Sequence, residues 1–394
     1  MPRELRLAIQ SIMLGALLAA CAPTRAPGAT SAPATAPSAP SASAAAASIP
    51  AWQAEWDRAV AVAKQEGKVV LFGPPGAANR EAMLSFQKTY PEVQVELTGG
   101  VVGRDLVPRL MSERQAGQYL WDVYVGAPSS AYLELKPTGA VAPLRPALLR
   151  PEVLDESNWL GGFQDGWMDL DHEWVYAFSL NLNWTVYVNR QLVPANELRD
   201  VEEIWDPKWR GKIAMIDPSS SGPGARVFGT LLLTKAEDKV RSLFQQDIAL
   251  TRDGRQLIEW LVRGRYPVAL AVSPDEFKPF QEQGLPLDHV QPLVSDDPAA
   301  SGLNAGRGAV VMLDRAPHPN AARVFVNWLL GPEAQRIVAE KSNYNSRRTD
   351  VPPVDPERQV DPSKDSVNLN HERYAALYVR ARELAAELVQ QPGR

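Results

Sequence analysis

The sequence predicts an α/β protein of two lobes, joined by two crossing strands, with a ligand cleft between them. Three observations carry this. One strand–helix series runs through residues 68–130 and a second through residues 213–272. Two extended segments, 177–189 (AFSLNLNWTVYVN) and 308–314 (GAVVMLD), flank the second series and read as the paired crossings. With 394 residues and a hydrophobic fraction of 45%, the chain can fill two ordinary cores. Charge is mixed, with 41 basic and 46 acidic residues and a net charge of −5. No long basic block is present, so nucleic acid is not expected as a partner.

The first residues read as a targeting segment. Arg3 and Arg6 precede an apolar run over 7–20. That run of about 14 residues is shorter than the ~20 a spanning helix needs. It ends in Leu18-Ala19-Ala20-Cys21, which resembles a bacterial lipobox. Cys21, the one cysteine, is therefore expected to become the first mature residue and carry lipid. An ordinary secretory signal cleaved near Ala20 is the alternative. A single cysteine leaves no internal disulfide. Ala22, and not Asp, follows Cys21, so the usual inner-membrane retention signal of Gram-negative lipoproteins is missing. Residues 21–50 are almost entirely Ala, Pro, Ser and Thr. They read as a tether reaching up to roughly 90 Å if extended as polyproline II.

In chain order, Trp52, Trp56, Val60 and Ala63 have helical spacing, and Gly67 ends that helix. Strands follow at 68–72, 93–97 and 121–125, separated by helices at 79–90 and 106–116. This alternation predicts a parallel, doubly wound sheet, whose ligands bind beyond the carboxyl ends of the strands. The pattern repeats with strands at 213–216 and 266–272. Amphipathic helices are expected at 320–330 and 332–341, with Asn320 as a cap, and a last helix at 371–389. The expected division is 1–20 signal, 21–50 tether, 51–190 with 308–394 for lobe one, and 191–307 for lobe two.

The strongest ligand candidate is the loop Ser219, Ser220, Ser221, Gly222, set between a strand and a helix. Free N–H groups and the helix dipole favour an anion there, although simple capping fits equally. Ser129 and Ser130 repeat the arrangement in the other lobe, and Ser273 follows a further strand. Arg80, Arg104 and Arg226 lie near these loops, and Trp184 on the crossing offers a stacking face. Tyr344 and Asn345 lie in a late polar loop that could form cleft wall. No G-x-S-x-G elbow, phosphate loop or H-E-x-x-H motif is present, so no catalytic residue and no cofactor is assigned.

Four segments resemble the bacterial extracellular solute-binding proteins of ABC importers, in the group related to ferric-iron-binding proteins. They are WDPKWRGKI at 205–213, DPS at 217–219, APHPNAA at 316–322 and NSRRTDVP at 345–352. The resemblance implies a type II periplasmic-binding-protein fold with a two-strand hinge. It also implies a monomer that takes up a small solute and hands it to a membrane permease. Ferric sites of that group usually use neighbouring tyrosines, and this sequence has no Tyr-Tyr pair. Iron would have to use the scattered Tyr176, Tyr187 and Tyr344. A small anionic or strongly polar solute is therefore expected first and ferric iron second. A sensory binding lobe or a secreted enzyme on the same scaffold are further alternatives.

Overall fold

The computed structural model describes residues 50–390 other than 286 and 365. The expected signal, Cys21 and nearly all of the tether lie outside them. Two sheets organise the chain. The first contains β1 (Lys68–Gly73), β2 (Gln94–Gly99), β3 (Val123–Gly126), β4 (Val141–Ala142), β5 (Tyr176–Ala177) and, from far along the chain, β13 (Ala309–Leu313). Its order is β2-β1-β3-β13-β4, with β5 also on β13. The second contains β7 (Val186–Asn189), β8 (Ile213–Ile216), β9 (Ala249–Thr251), β10 (Val268–Leu270) and β11 (Val290–Pro292), in the order β11-β7-β10-β8-β9. Between them a ribbon of β6 (Asn181–Trp184) and β12 (Ser301–Asn304) pairs antiparallel.

Strand periodicity explains why each sheet is covered on both faces. Val69, Leu71, Val123, Val125 and Val310 enter one core of the first sheet, and Phe72, Tyr124 and Val311 enter the other. In the second sheet Val186, Val188, Ile213 and Met215 face one core, and Tyr187 and Ala214 the opposite one.

Three expectations need correction. The crossings are not 177–189 and 308–314 as units: the first splits into β5, β6 and β7, and the second holds β13, which completes the first sheet antiparallel to β3. The connecting ribbon is β6 with β12, whose Asn and Gly residues lack the β-branched signature of a strand. The first sheet is accordingly mixed and not purely parallel. Finally, the last helix, Ala375–Val389, packs on the helix Pro223–Thr234 of the second lobe, where Ala381, Leu384 and Leu388 join the core of Phe228 and Leu231. A Cβ on Gly229 would meet the Leu369 side chain at a tight 3.2 Å and the Ala381 methyl at an ordinary 3.9 Å.

The expected cap at Asn320 is also replaced. Glu66 accepts from the Asn320 and Ala321 N–H groups and from the Asn320 side chain, at 2.7–3.2 Å. Nearby, fully buried Asp122 ties β1 and β3 to the start of the same helix. It accepts from Val70 N at 2.7 Å, His318 N at 2.8 Å and His318 Nδ1 at 2.9 Å. Asp122→Ala would strand these donors at about 1–3 kcal/mol each. Urea unfolding is expected to show a loss of about 3 kcal/mol or more, and a loss below about 1 kcal/mol would contradict the account.

Candidate functional site

The serine-glycine loop after β8 leads into the helix Pro223–Thr234. Gly222 has φ +136, and a Cβ on Gly224 would meet the Ile216 carbonyl at 2.3 Å, so only glycine lets the helix start this close to the strand. Asp217 organises the loop by accepting from Ser219 N at 2.9 Å and Ser219 Oγ at 2.6 Å, and its other oxygen accepts from Arg252 at 2.8 Å. Burial opposes its charge, but the bonds from Ser219 and Arg252 outweigh burial and hold the carboxyl below the ordinary range. Ser219 is thus engaged within its own turn.

The next donors are met by a residue from the far end of the chain. Tyr378 accepts from Gly222 N at 2.9 Å and lies 3.2 Å from Ser221 Oγ. Tyr378 stands close enough to Tyr132 of the first lobe to act on its phenol, as does Arg226. Tyr132 donates to the Leu369 carbonyl at 3.4 Å. Arg382 donates to the Ser219 carbonyl at 3.4 Å and acts on Glu134 of the first lobe. Glu134 in turn acts on Tyr124, together with Ser130 and Arg307. These residues form a polar junction between the lobes, with Arg226, Arg307 and Arg382 set against Glu134 and Glu372.

Among the described residues no hydrogen bond or ion pair reaches the side chain of Arg226 or Arg307. Arg226 also lines a small cavity of about 20 Å³ with Trp184, Ala271 and Leu369. Ala271 there holds a left-handed backbone, φ +63, rare for a residue with a Cβ.

The junction gathers Ser130, Ser219, Ser221, Gly222 and Arg226, with Trp184 beside them. Ser129 and Ser220 are half-buried neighbours in the same loops. Ser273 follows Ala271 and Val272 of the small cavity, and its carbonyl accepts from Glu276 N at 2.9 Å. Arg80 and Arg104 lie elsewhere: Arg80 donates to the Leu97 carbonyl at 3.2 Å, and Arg104 pairs with Asp105 at 2.8 Å. Asn345 is a hinge brace, bonded to Asn181 and Asp355. The three scattered tyrosines do not converge. Tyr176 is packed among Trp159, Phe163 and Trp167 of the first lobe, Tyr187 sits in the second sheet, and Tyr344 lines a separate cavity. Sequence reading missed Tyr124, Tyr132, Glu134, Arg307, Tyr378 and Arg382. None carries a local motif, and only the fold brings them together.

Glu134 gives this junction a pH signature. Burial raises its carboxyl above the ordinary range, outweighing Arg382, and its Oε2 has no hydrogen-bond partner among the described residues. An acid with a raised folded pKa contributes stability at low pH and loses it as pH rises through that value. Glu134→Gln is therefore expected to raise the melting temperature at pH 7, with the gain closing below about pH 4. An unchanged or lower melting temperature at pH 7 would refute this.

The comparisons agree with this architecture. The family model of the bacterial extracellular solute-binding proteins matches residues 81–365. An uncharacterised protein of Haemophilus influenzae is 23% identical over 198 residues, which span 48% of this chain and 55% of that relative. Among solved structures, iron-bound HitA from Pseudomonas aeruginosa is 17% identical with a TM-score of 0.62, over 82% of this chain and 99% of HitA. The Trichodesmium protein IdiA (FutA) with iron and citrate is 18% identical with a TM-score of 0.63, over 82% and 100%. AfuA from Actinobacillus pleuropneumoniae with fructose-6-phosphate is 19% identical with a TM-score of 0.56, over 82% and 98%. These likenesses give the fold of a periplasmic binding protein, and the match over 81–365 places the chain in the bacterial extracellular solute-binding protein family.

Proposed function

We propose that the chain captures a small polar or anionic solute between its lobes and delivers it to the permease of an ABC importer. The observation that carries this reading is the pair of unpartnered guanidiniums, Arg226 and Arg307, in the interlobe junction. Arg226 is half-buried, and a partly desolvated charge without a partner is costly, a cost that an incoming anion relieves, while Arg307 is exposed and open to pairing. The start of the helix Pro223–Thr234 adds N–H donors and its dipole. Tyr378 accepts from one of these donors, so an anion at this point would displace or share its hydroxyl.

Ferric iron is the second reading, since HitA is described as iron-bound and the Trichodesmium protein as in complex with iron and citrate. The tyrosines weigh against it. Tyr176 is packed among Trp159, Phe163 and Trp167, Tyr187 sits in the second sheet and Tyr344 lines a separate cavity, so the three offer no shared ligand set. AfuA, shown with a sugar phosphate, carries an anion on the same fold. Thermal shift with inorganic phosphate tests the preference. Arg226→Gln is expected to weaken phosphate about tenfold or more. A visible tyrosinate charge-transfer band with ferric citrate, with no response to phosphate, would favour iron.

The proposed address is the extracytoplasmic face of the cell envelope, with Cys21 lipidated and residues 22–50 as the tether. Cys21→Ser is expected to move the protein from the membrane fraction to the soluble fraction, or to leave unprocessed precursor. Unchanged fractionation and mature mass would remove the anchor from this reading.

A further inference from the structure

Between the helices Ala77–Leu84 and Pro332–Ser342 the first lobe holds a cavity of about 180 Å³. Pro74 and Val125 form part of its wall, so it lies beyond the carboxyl ends of β1 and β3, where open α/β sheets hold their ligands. Met83, Leu97, Phe178 and Val338 make an apolar interior. Two cations, Arg307 and Lys341, complete the lining. Lys341 is already paired with Glu81 at 2.7 Å, which leaves Arg307 as the uncompensated charge.

The backbone that carries Arg307 is pinned on both sides. Gly306, at φ +57, lies so close to the Tyr344 ring that a Cβ would come within 2.4 Å of it. A Cβ on Gly308 would meet Ser179 Oγ at 1.8 Å, and that hydroxyl donates to the Ala305 carbonyl at 2.7 Å. A fixed turn thus presents an exposed guanidinium at the mouth of an apolar cavity. Several surface arginines elsewhere are neutralised, among them Arg104, Arg109 and Arg210, each with a carboxylate at 2.6–2.8 Å.

We infer that this cavity takes the apolar body of an organic monocarboxylate while Arg307 binds its carboxylate. This rests on the solute-binding reading and narrows the solute class. One uncompensated guanidinium matches one carboxylate, and its planar fork suits bidentate pairing. Inorganic phosphate would gain nothing from Met83, Phe178 and Val338, whereas a hydrocarbon body gains about 25 cal/mol per Å² buried.

Isothermal titration calorimetry on the purified full chain tests this with 3-phenylpropionate, acetate and inorganic phosphate. Ala78 lines the cavity yet is exposed, so Ala78→Trp narrows the entrance without disturbing a core. 3-Phenylpropionate is expected to bind about tenfold or more tightly than acetate. Arg307→Gln and Ala78→Trp should each weaken it about tenfold or more. Equal binding of acetate and 3-phenylpropionate, or binding indifferent to Ala78→Trp, overturns the inference. Phosphate binding that is lost in Arg226→Gln, with no binding of 3-phenylpropionate, overturns the cavity assignment and leaves the transport reading standing. Binding of none of the three anions overturns both.

Discussion

The antiparallel ribbon of β6 against β12 is the constraint on which the rest depends. It is the pairing that lets one chain build two sheets and return to finish the first with β13. Its own hydrogen bonds are few, so it is braced from the side. Thr185 donates to the Ala299 carbonyl, Asn181 accepts from Asn345 N, and Leu303 N donates to Val367. These bonds place the late segment directly against the ribbon. Lobe geometry, and with it the junction of Arg226, Arg307 and Glu134, is set from there.

A second tie runs from the ribbon to both lobes. After Val367, Asn370 donates to the Leu303 carbonyl, and Glu372 pairs with Lys136 of the first lobe at 2.8 Å. The following helix packs on the second lobe and brings Tyr378 to the serine-glycine loop. One short stretch therefore touches the ribbon, the first lobe and the loop donors of the second lobe together. A ligand that competes for the Gly222 N–H acts on an element already anchored to the opposite lobe.

The electrostatics of the junction are asymmetric by construction. Surface cations are mostly matched with carboxylates, and such exposed pairs are worth little. Arg226 and Arg307 are left unmatched where the lobes meet, while Glu134 is buried enough to resist ionisation. These two guanidiniums stand unmatched among the described residues although the chain's overall charge is −5. Local field, and not total charge, decides which solutes are drawn in.

The sequence alone determined the strand–helix rhythm, the two-lobed class, the glycine-dependent loop after β8 and the resemblance to extracellular solute-binding proteins. Each is written in short-range patterns: periodicity, caps, turn residues and local motifs. Tertiary structure decided what long-range pairing controls. It gave β13 to the first sheet, made the ribbon from the unpromising segments Asn181–Trp184 and Ser301–Asn304, and seated the last helix on the second lobe. It also chose among the arginines. Arg104 looked as suitable as Arg226, but its neighbour Asp105 neutralises it, while among the described residues no carboxylate pairs with Arg226 or Arg307. Tyr378 reaches a loop more than 150 residues earlier in the chain, at a separation of 156 from Gly222. Local spacing carries no trace of such contacts, because they arise only when separately folded surfaces bury each other.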